Sequence, residues 1–191
     1  MKIEEQALIK EAQRGSIPAY EALVRKYDRQ VMQLALNMVG HVQDAEDIYQ
    51  EVFIRVFRKL DSFDFRSEFS TWLFRVAVNT SINFQKKKQR KKRWIQNPEL
   101  DAEYGTWQDT VQTDEQTPEE SALNLEFNQE IDSALMNLSG KQRSVFVLRY
   151  YQDYKLKEIA AILDCSLGTV KNYLFRATKK LQKELREYAA N

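Results

Sequence analysis

Apolar residues recur at helical spacing along nearly the whole chain. Residues 2–14 set Ile3, Ala7 and Leu8 on one side and end at Gly15. Ser16-Ile17-Pro18 reads as a helix start, with Ser16 as cap and Pro18 in the first turn. Ala19, Tyr20, Leu23, Val24, Tyr27, Val31, Leu34, Ala35 and Met38 then keep one face until Gly40 closes the helix. From Asp44 to Leu60 the inward stripe is Ile48, Val52, Val56 and Leu60, widened by Tyr49 and Phe53. Asp44 is expected as its N-cap and Asp47 at N3, both favourable at a positive helix end. Thr71 to Arg93 sets Trp72, Leu73, Val76, Ala77 and Thr80 on one side. Residues 118–138 repeat the pattern through Ala122, Leu125, Ile131, Leu135 and Leu138, and Ser139 caps a helix with Val145, Phe146, Leu148 and Tyr151 inside. No alternating period of consequence interrupts this. The expected fold is all-α.

The pattern is most informative from Lys155 to Leu181. Leu156, Ile159, Ala160 and Leu163 mark one helix, and Val170, Leu174, Ala177 and Leu181 mark a second. Asp164-Cys165-Ser166 separates them. Asp tolerates the left-handed backbone of a tight turn, and Ser166 is a good N-cap. The polar face of the second helix carries Lys171, Asn172, Arg176, Lys179 and Lys180. Two short helices, a three-residue turn and a basic outer face make a helix-turn-helix, whose second helix enters a DNA major groove.

Charge divides what periodicity joins. The chain has 29 Lys and Arg against 28 Asp and Glu, so its net charge of +1 carries no message. Yet residues 86–93, KKKQRKKR, hold seven basic residues in eight, while Trp94 to Gly140 has eleven acidic residues and no basic one. Basic, acidic and basic segments in that order imply three functional parts. Asn97-Pro98, Gly105 and Thr117-Pro118 break the helical period inside the acidic part, which reads as a linker. Few glycines and prolines, five and three, favour long helices. The charged N-terminus has no signal-peptide character and no apolar run reaches ~18 residues, so no membrane insertion is expected. A single cysteine excludes an internal disulfide and suits a reducing, cytoplasmic setting.

Asp61 to Ser70 is a loop with three phenylalanines in ten residues, next to the basic helix. Loops carry that many large apolar groups to cover a core or to grip a ligand. Aromatic rings beside Lys and Arg suit single-stranded nucleic acid, whose bases stack at ~1–3 kcal/mol each while the cations follow the backbone. Phe69 and Trp72 are expected to pack on their own helices, Phe63 less so. Enzyme chemistry finds no support. His41 is the only histidine, Cys165 sits between two apolar helices, and no phosphate-binding glycine loop, metal-spaced cluster or nucleophile–base pair is present. No cofactor and no metal are expected.

DAEDIYQEVFIRVFRKLDSF, FSTWLFRVAVN, the basic run, and LSGKQRSVFVLRYYQDYKLKEIAAILDCSLGTVKNYLFRATKKL stand in that order. Together they resemble the extracytoplasmic-function class of bacterial sigma factors. The likeness covers region 2 (about residues 10–93) and region 4 (about 127–187). It implies two small helical domains, 1–93 and 127–191, joined by a flexible acidic linker, 94–126. The implied function is an alternative sigma factor, not an enzyme, that docks on core RNA polymerase, melts a promoter and starts transcription of a stress or envelope regulon. By resemblance, Asp47, Gln50 and Glu51 dock on the β′ clamp helices, although polar stripes of this kind are more often merely solvated, and region 4 engages the β flap. Phe63 and Asn79 would line a pocket for a base flipped from the −10 strand, and flipping costs a few kcal/mol of unstacking. Asn83, Lys86, Lys87 and Arg90 would hold that strand. Ser166, Thr169, Lys171, Asn172 and Arg176 would read the −35 element, with Lys179 and Lys180 nearer phosphates. The linker would thread toward the RNA exit channel, and a separate anti-sigma protein would regulate the whole. Asn83 stands where the family often has Asp, and Asp164 where it often has Gly. A dimeric helix-turn-helix repressor or activator is the competing assignment. It needs a dimer surface and a palindromic site.

Overall fold

A computed structural model describes residues 3–95 and 131–189, and among them every regular element is helical. The order is α1 (Ile3–Gln13), α2 (Ile17–Val39), α3 (Val42–Lys59), a single 3-10 turn (Leu60–Ser62) and α4 (Phe69–Ile95). The second half holds helical residues 131–136 (α5), α6 (Gly140–Tyr150), α7 (Leu156–Leu163) and α8 (Leu167–Ala189). Residues 96–130, which include nearly all of the acidic linker, lie outside the described residues.

Local sequence sets most helix ends. The Ser16 hydroxyl accepts from the Ala19 N–H at 3.4 Å, and Pro18 lies in the first turn, where its missing N–H leaves no bond unmade. Ser139 and Gln142 form a reciprocal capping box at the start of α6. The α3 boundary differs from expectation: the helix starts at Val42 with His41 in the N-cap position, one turn before Asp44 would have placed it. Asp44 lies within the first turn instead, where its carboxylate meets the positive helix end and pairs with Lys88 of α4.

The inward faces of α2, α3 and α4 form the first core, with Leu34, Val52, Leu73 and Phe74 fully buried. That core does not stop at the end of α4. Val145, Leu148, Ile159, Ile162 and Val170 from α6, α7 and α8 belong to the same buried cluster. Phe74 meets Tyr154 edge-to-face at 5.3 Å between centroids. A smaller cluster of Ala134, Leu135, Leu138, Ala177 and Leu181 joins α5 to α8.

Two residues at the seam are placed with little freedom. Gly40 has φ 75°, and a Cβ there would lie 3.0 Å from the Met136 sulfur, so left-handed backbone and close approach both call for glycine. Arg143, 5% exposed, donates from Nε to the Leu135 carbonyl at 2.7 Å, from Nη2 to the Met136 and Leu138 carbonyls, and from Nη1 to the Met38 carbonyl. Met38 belongs to the first half and the other three acceptors to the second. Burial pushes the guanidinium pKa down to about 10, which leaves it charged at neutral pH.

α1 is fastened by Glu5, 6% exposed, whose Oε1 accepts from Tyr27 Oη and Lys26 Nζ, each at 2.6 Å. Burial alone would raise this carboxyl, but the hydrogen bonds from Lys26 and Tyr27 with the Lys26 charge hold it below its ordinary 4.5. A folded pKa below the unfolded one adds stability that is complete above the unfolded value and lost as pH falls through the folded value. Glu5→Gln should therefore lower stability at pH 7 by ~1.5 kcal/mol, the scale of a hydrogen bond to a charged group. The gap to wild type should close as pH drops below 4.5, as read from urea midpoints at each pH.

Candidate nucleic-acid interface

The loop between the 3-10 turn and α4 is held from behind by α1. Gln13 Nε2 donates to the carbonyls of Leu60 and Phe63, both at 2.9 Å. Its phenylalanines turn inward. Phe63 is 3% exposed, with its ring 5.0 Å from Phe65, 5.5 Å from Phe69 and 5.4 Å from Trp72. Phe65 takes φ 61° to reach this cluster. Trp72, half-buried, sits on the far side of the stack.

Trp72 also forms one wall of an open cleft of about 270 Å³, completed by Arg55, Lys59, Ser62, Arg75, Val76, Asn79 and Thr80. Three cations, an indole and an exposed carboxamide share one hollow. Phe63 is not on its wall; it backs Trp72. The sequence expectation put Phe63 on the pocket wall and Trp72 in the packing; the structure packs both rings together and brings only Trp72 to the wall. The reason is helical phase. Trp72 follows Thr71, which is buried on the inner face of α4, so its indole emerges at the border of that face. Phe63 follows the 3-10 turn directly, and the Gln13 tether draws that backbone against the core.

From Asn79 at the cleft, the same face of α4 runs on through exposed Asn83, about one turn away, to exposed Lys86, Lys87 and Arg90. Lys88 differs from its neighbours in pairing with Asp44. On α3, Asp47 and Gln50 are exposed, while half-buried Glu51 bridges Arg55 at 2.5 Å. Beside them stand two apolar side chains that the sequence stripe left unremarked, Ile54 at 44% and Phe57 at 51% exposure. Their signal was available: both fall outside the Ile48, Val52, Val56 phase, so an inward helix face cannot absorb them.

In the second half, Asp164 takes φ 52°, ψ 55° and turns the chain between α7 and α8. Ser166 Oγ accepts from the Thr169 N–H at 3.1 Å and shares a hydrogen bond with Thr169 Oγ1 at 2.9 Å. Both hydroxyls therefore serve the helix start. Lys171, Asn172, Arg176 and Lys179 are exposed along α8. Phe175, 67% exposed, stands among them and was not singled out from the sequence. Lys180 leaves this group: its Nζ donates to the Asn137 carbonyl at 2.5 Å, with Glu184 at 3.8 Å.

Residues 23–91 match the Sigma-70 region 2 family, and residues 128–181 match Sigma-70 region 4. The ECF RNA polymerase sigma factor SigW of Bacillus subtilis (strain 168) is 37% identical over 94% of this chain and 95% of its own length. The chain belongs to the ECF sigma factors. The ECF sigma-E factor of Escherichia coli (strain K12) is 32% identical over 96% of the chain and 95% of its own. The fold is likewise that of sigma factors. The structure of CnrH in complex with the cytosolic domain of CnrY aligns at TM-score 0.67 and 23% identity, covering 96% of this chain and 97% of that one. The sigma factor RpoE of Bartonella quintana, in complex with the anti-sigma factor NepR, aligns at 0.68 and 22%, covering 89% and 98%. The protein is thus an alternative sigma factor, and its family initiates transcription by binding promoter DNA with RNA polymerase; a separate dimeric repressor is not favoured. No helix among the described residues is long and apolar enough to cross a membrane.

The Gln13 tether makes a local prediction about this sigma factor. Gln13→Ala should cost ~1 kcal/mol, about what one or two net hydrogen bonds contribute. The effect should concentrate on the loop: hydrogen exchange should quicken at residues 61–68 and stay unchanged in the interior of α2.

Proposed function

We propose that this sigma factor opens its promoter by drawing one −10 base of the non-template strand into the cleft walled by Trp72, Asn79 and Arg75. The observation that carries the reading is the joining of that cleft to a line of exposed amides and cations: Asn79, Asn83, Lys86, Lys87 and Arg90. Trp72 offers a stacking surface and Asn79 a paired donor and acceptor for a base edge, while the cations follow phosphates. Phe63 acts from beneath, fixing the Trp72 ring. The −35 element is read by α8 in the major groove, with Lys171, Asn172 and Arg176 at base edges, Phe175 against an apolar edge such as a thymine methyl, and Lys179 at phosphates. Ser166 and Thr169 set the start of that helix at the DNA, and Lys180 supports it through Asn137.

Core polymerase docks on the outer face of α3. Ile54 and Phe57 supply an apolar centre and Asp47 and Gln50 a polar rim, the usual composition of an interface. The β′ clamp helices are the partner for this face and the β flap for region 4, with residues 1–93 and 127–191 as the two functional domains and 94–126 threading between them. The site of action is the cytoplasm, on a stress or envelope regulon. An anti-sigma protein, as NepR is for RpoE of Bartonella quintana, is the expected regulator.

Two experiments test this reading. Asn79→Ala should slow open-complex formation on duplex promoter by roughly tenfold or more, about the ~1.4 kcal/mol of one lost base contact. It should slow a template with a pre-opened bubble much less, because the flipping cost is then already met. Equal loss on both templates would refute the pocket. Asp47→Lys with Gln50→Lys should weaken association with core at least about tenfold without changing helicity; co-purification at the wild-type level would refute the docking face. Glu51 is left untouched because its bridge to Arg55 would confound the result.

A further inference from the structure

Arg75 belongs to two places at once. It lines the cleft with Trp72 and Asn79, and its Nη2 donates to the Ala161 carbonyl at 2.5 Å. Ala161 lies in the last turn of α7, the first helix of the helix-turn-helix, 86 residues away in sequence. Carbonyls in that turn have no partner within their helix and carry its partial negative charge, so a guanidinium caps them well. Beside the contact, Phe74, the preceding residue of α4, packs on Tyr154, and Ile159 and Ile162 complete the shared core. Arg75 Nε, by contrast, is buried with no hydrogen-bond partner. A buried donor left unmade costs ~1–3 kcal/mol, so the α7 contact satisfies this fork only in part.

We propose that Arg75 is a shared switch residue, for which α7 and an unpaired DNA strand in the cleft compete. Docking of the helix-turn-helix on region 2 and capture of the strand then exclude one another. The proposal rests on reading the cleft as the strand site and adds how that site is regulated. Charge decides the competition. A phosphate is a full anion that takes two parallel bonds from an arginine fork, and such charge-assisted bonds are about twice as strong as neutral ones. The Ala161 carbonyl offers one neutral acceptor. When Arg75 turns to a phosphate, the α7 carbonyl loses its cap, and the edge of the seam around Phe74 and Tyr154 weakens. Linkage works equally in reverse: whatever factor the strand contributes to opening, closure subtracts from strand affinity. The free protein is therefore self-inhibited for strand binding, and release of region 4 onto polymerase sets Arg75 free at the point where a strand needs it.

The test uses the full chain with cysteines at Gln30 and Gln152, whose side chain and backbone meet across the seam at 3.4 Å, in a Cys165→Ser background. Spin labels there report separation of the halves, and the probe is a random-sequence pool of short single-stranded deoxyoligonucleotides. Adding the pool should lengthen the label distance, and Arg75→Ala should abolish that response. Tyr154→Ala removes a ring from the seam without touching the cleft, and it should tighten strand binding about fivefold, the lower end of common coupling factors. If the pool binds, and Trp72→Ala weakens it, while the labels stay put and Tyr154→Ala leaves affinity unchanged, the cleft reading stands and the switch is refuted. If Trp72→Ala and Asn79→Ala leave strand affinity unchanged, both fall. Should Tyr154→Ala prove poorly folded by circular dichroism, Tyr154→Leu carries the same expectation with a smaller gain.

Discussion

The arrangement of this molecule depends on one guanidinium that has been taken out of water and, among the described residues, is met by carbonyls and not by a carboxylate. Arg143 is held by four backbone carbonyls at the point where the ends of α2 and α5 converge. Met38 and Met136 lie at helix ends, whose carbonyls lack a partner within the helix, and the convergence of two negative helix ends supplies the field that a counter-ion would otherwise provide. One side chain thus satisfies acceptors in both sigma regions. Gln85 of α4 adds a donor to the same Met38 carbonyl, and Gly40 lets Met136 come close. The seam is consequently polar and geometrically demanding at one end and apolar at the other, where Phe74 meets Tyr154.

That division bears on how such a protein changes state. Apolar packing of modest extent tolerates sliding and separation, whereas a buried charge cannot be left halfway between its acceptors and water. The Phe74 and Arg75 end is the one that adjoins the cleft of Trp72 and Asn79. The polar contact at that end is a single neutral acceptor beside the apolar packing of Phe74, Tyr154, Ile159 and Ile162, so a separation that starts there leaves Arg143 holding the other end. An opening of that kind is a hinge, with the rigid side opposite the site it uncovers.

Much of the fold was legible in the sequence because its determinants are local. Ser16, Gly40, Ser139 and Asp164 set helix ends through bonds to residues at most four positions away, and the inward stripes of α2 and α3 follow from spacing alone. The helix-turn-helix was legible for the same reason. What escaped was set at a distance. Asp44 looked like a cap until Lys88 gave its carboxylate another role. Phe63 lies beneath Trp72 and not on the cleft wall because Gln13, fifty residues upstream, fixes the loop. Lys180 reads as one more basic residue of α8 until Asn137 is beside it. Arg143 had no signature at all, since its meaning lies in carbonyls that every residue possesses. Ile54, Phe57 and Phe175 differ: their outward phase is already visible in the spacing along α3 and α8.

The 105 positions between Met38 and Arg143 also have a meaning in time. At a synthesis rate of ~5–20 residues per second, the first half leaves the ribosome roughly 5–20 s before the arginine that will clasp it exists. During that interval α2, α3 and α4 have their local contacts and can settle, but the Met38 carbonyl faces water and the Phe74 ring has no Tyr154 to cover it. Every molecule therefore begins its life in the separated arrangement. Closure is a later event, and a nascent chain that meets a partner before its second half emerges never passes through it.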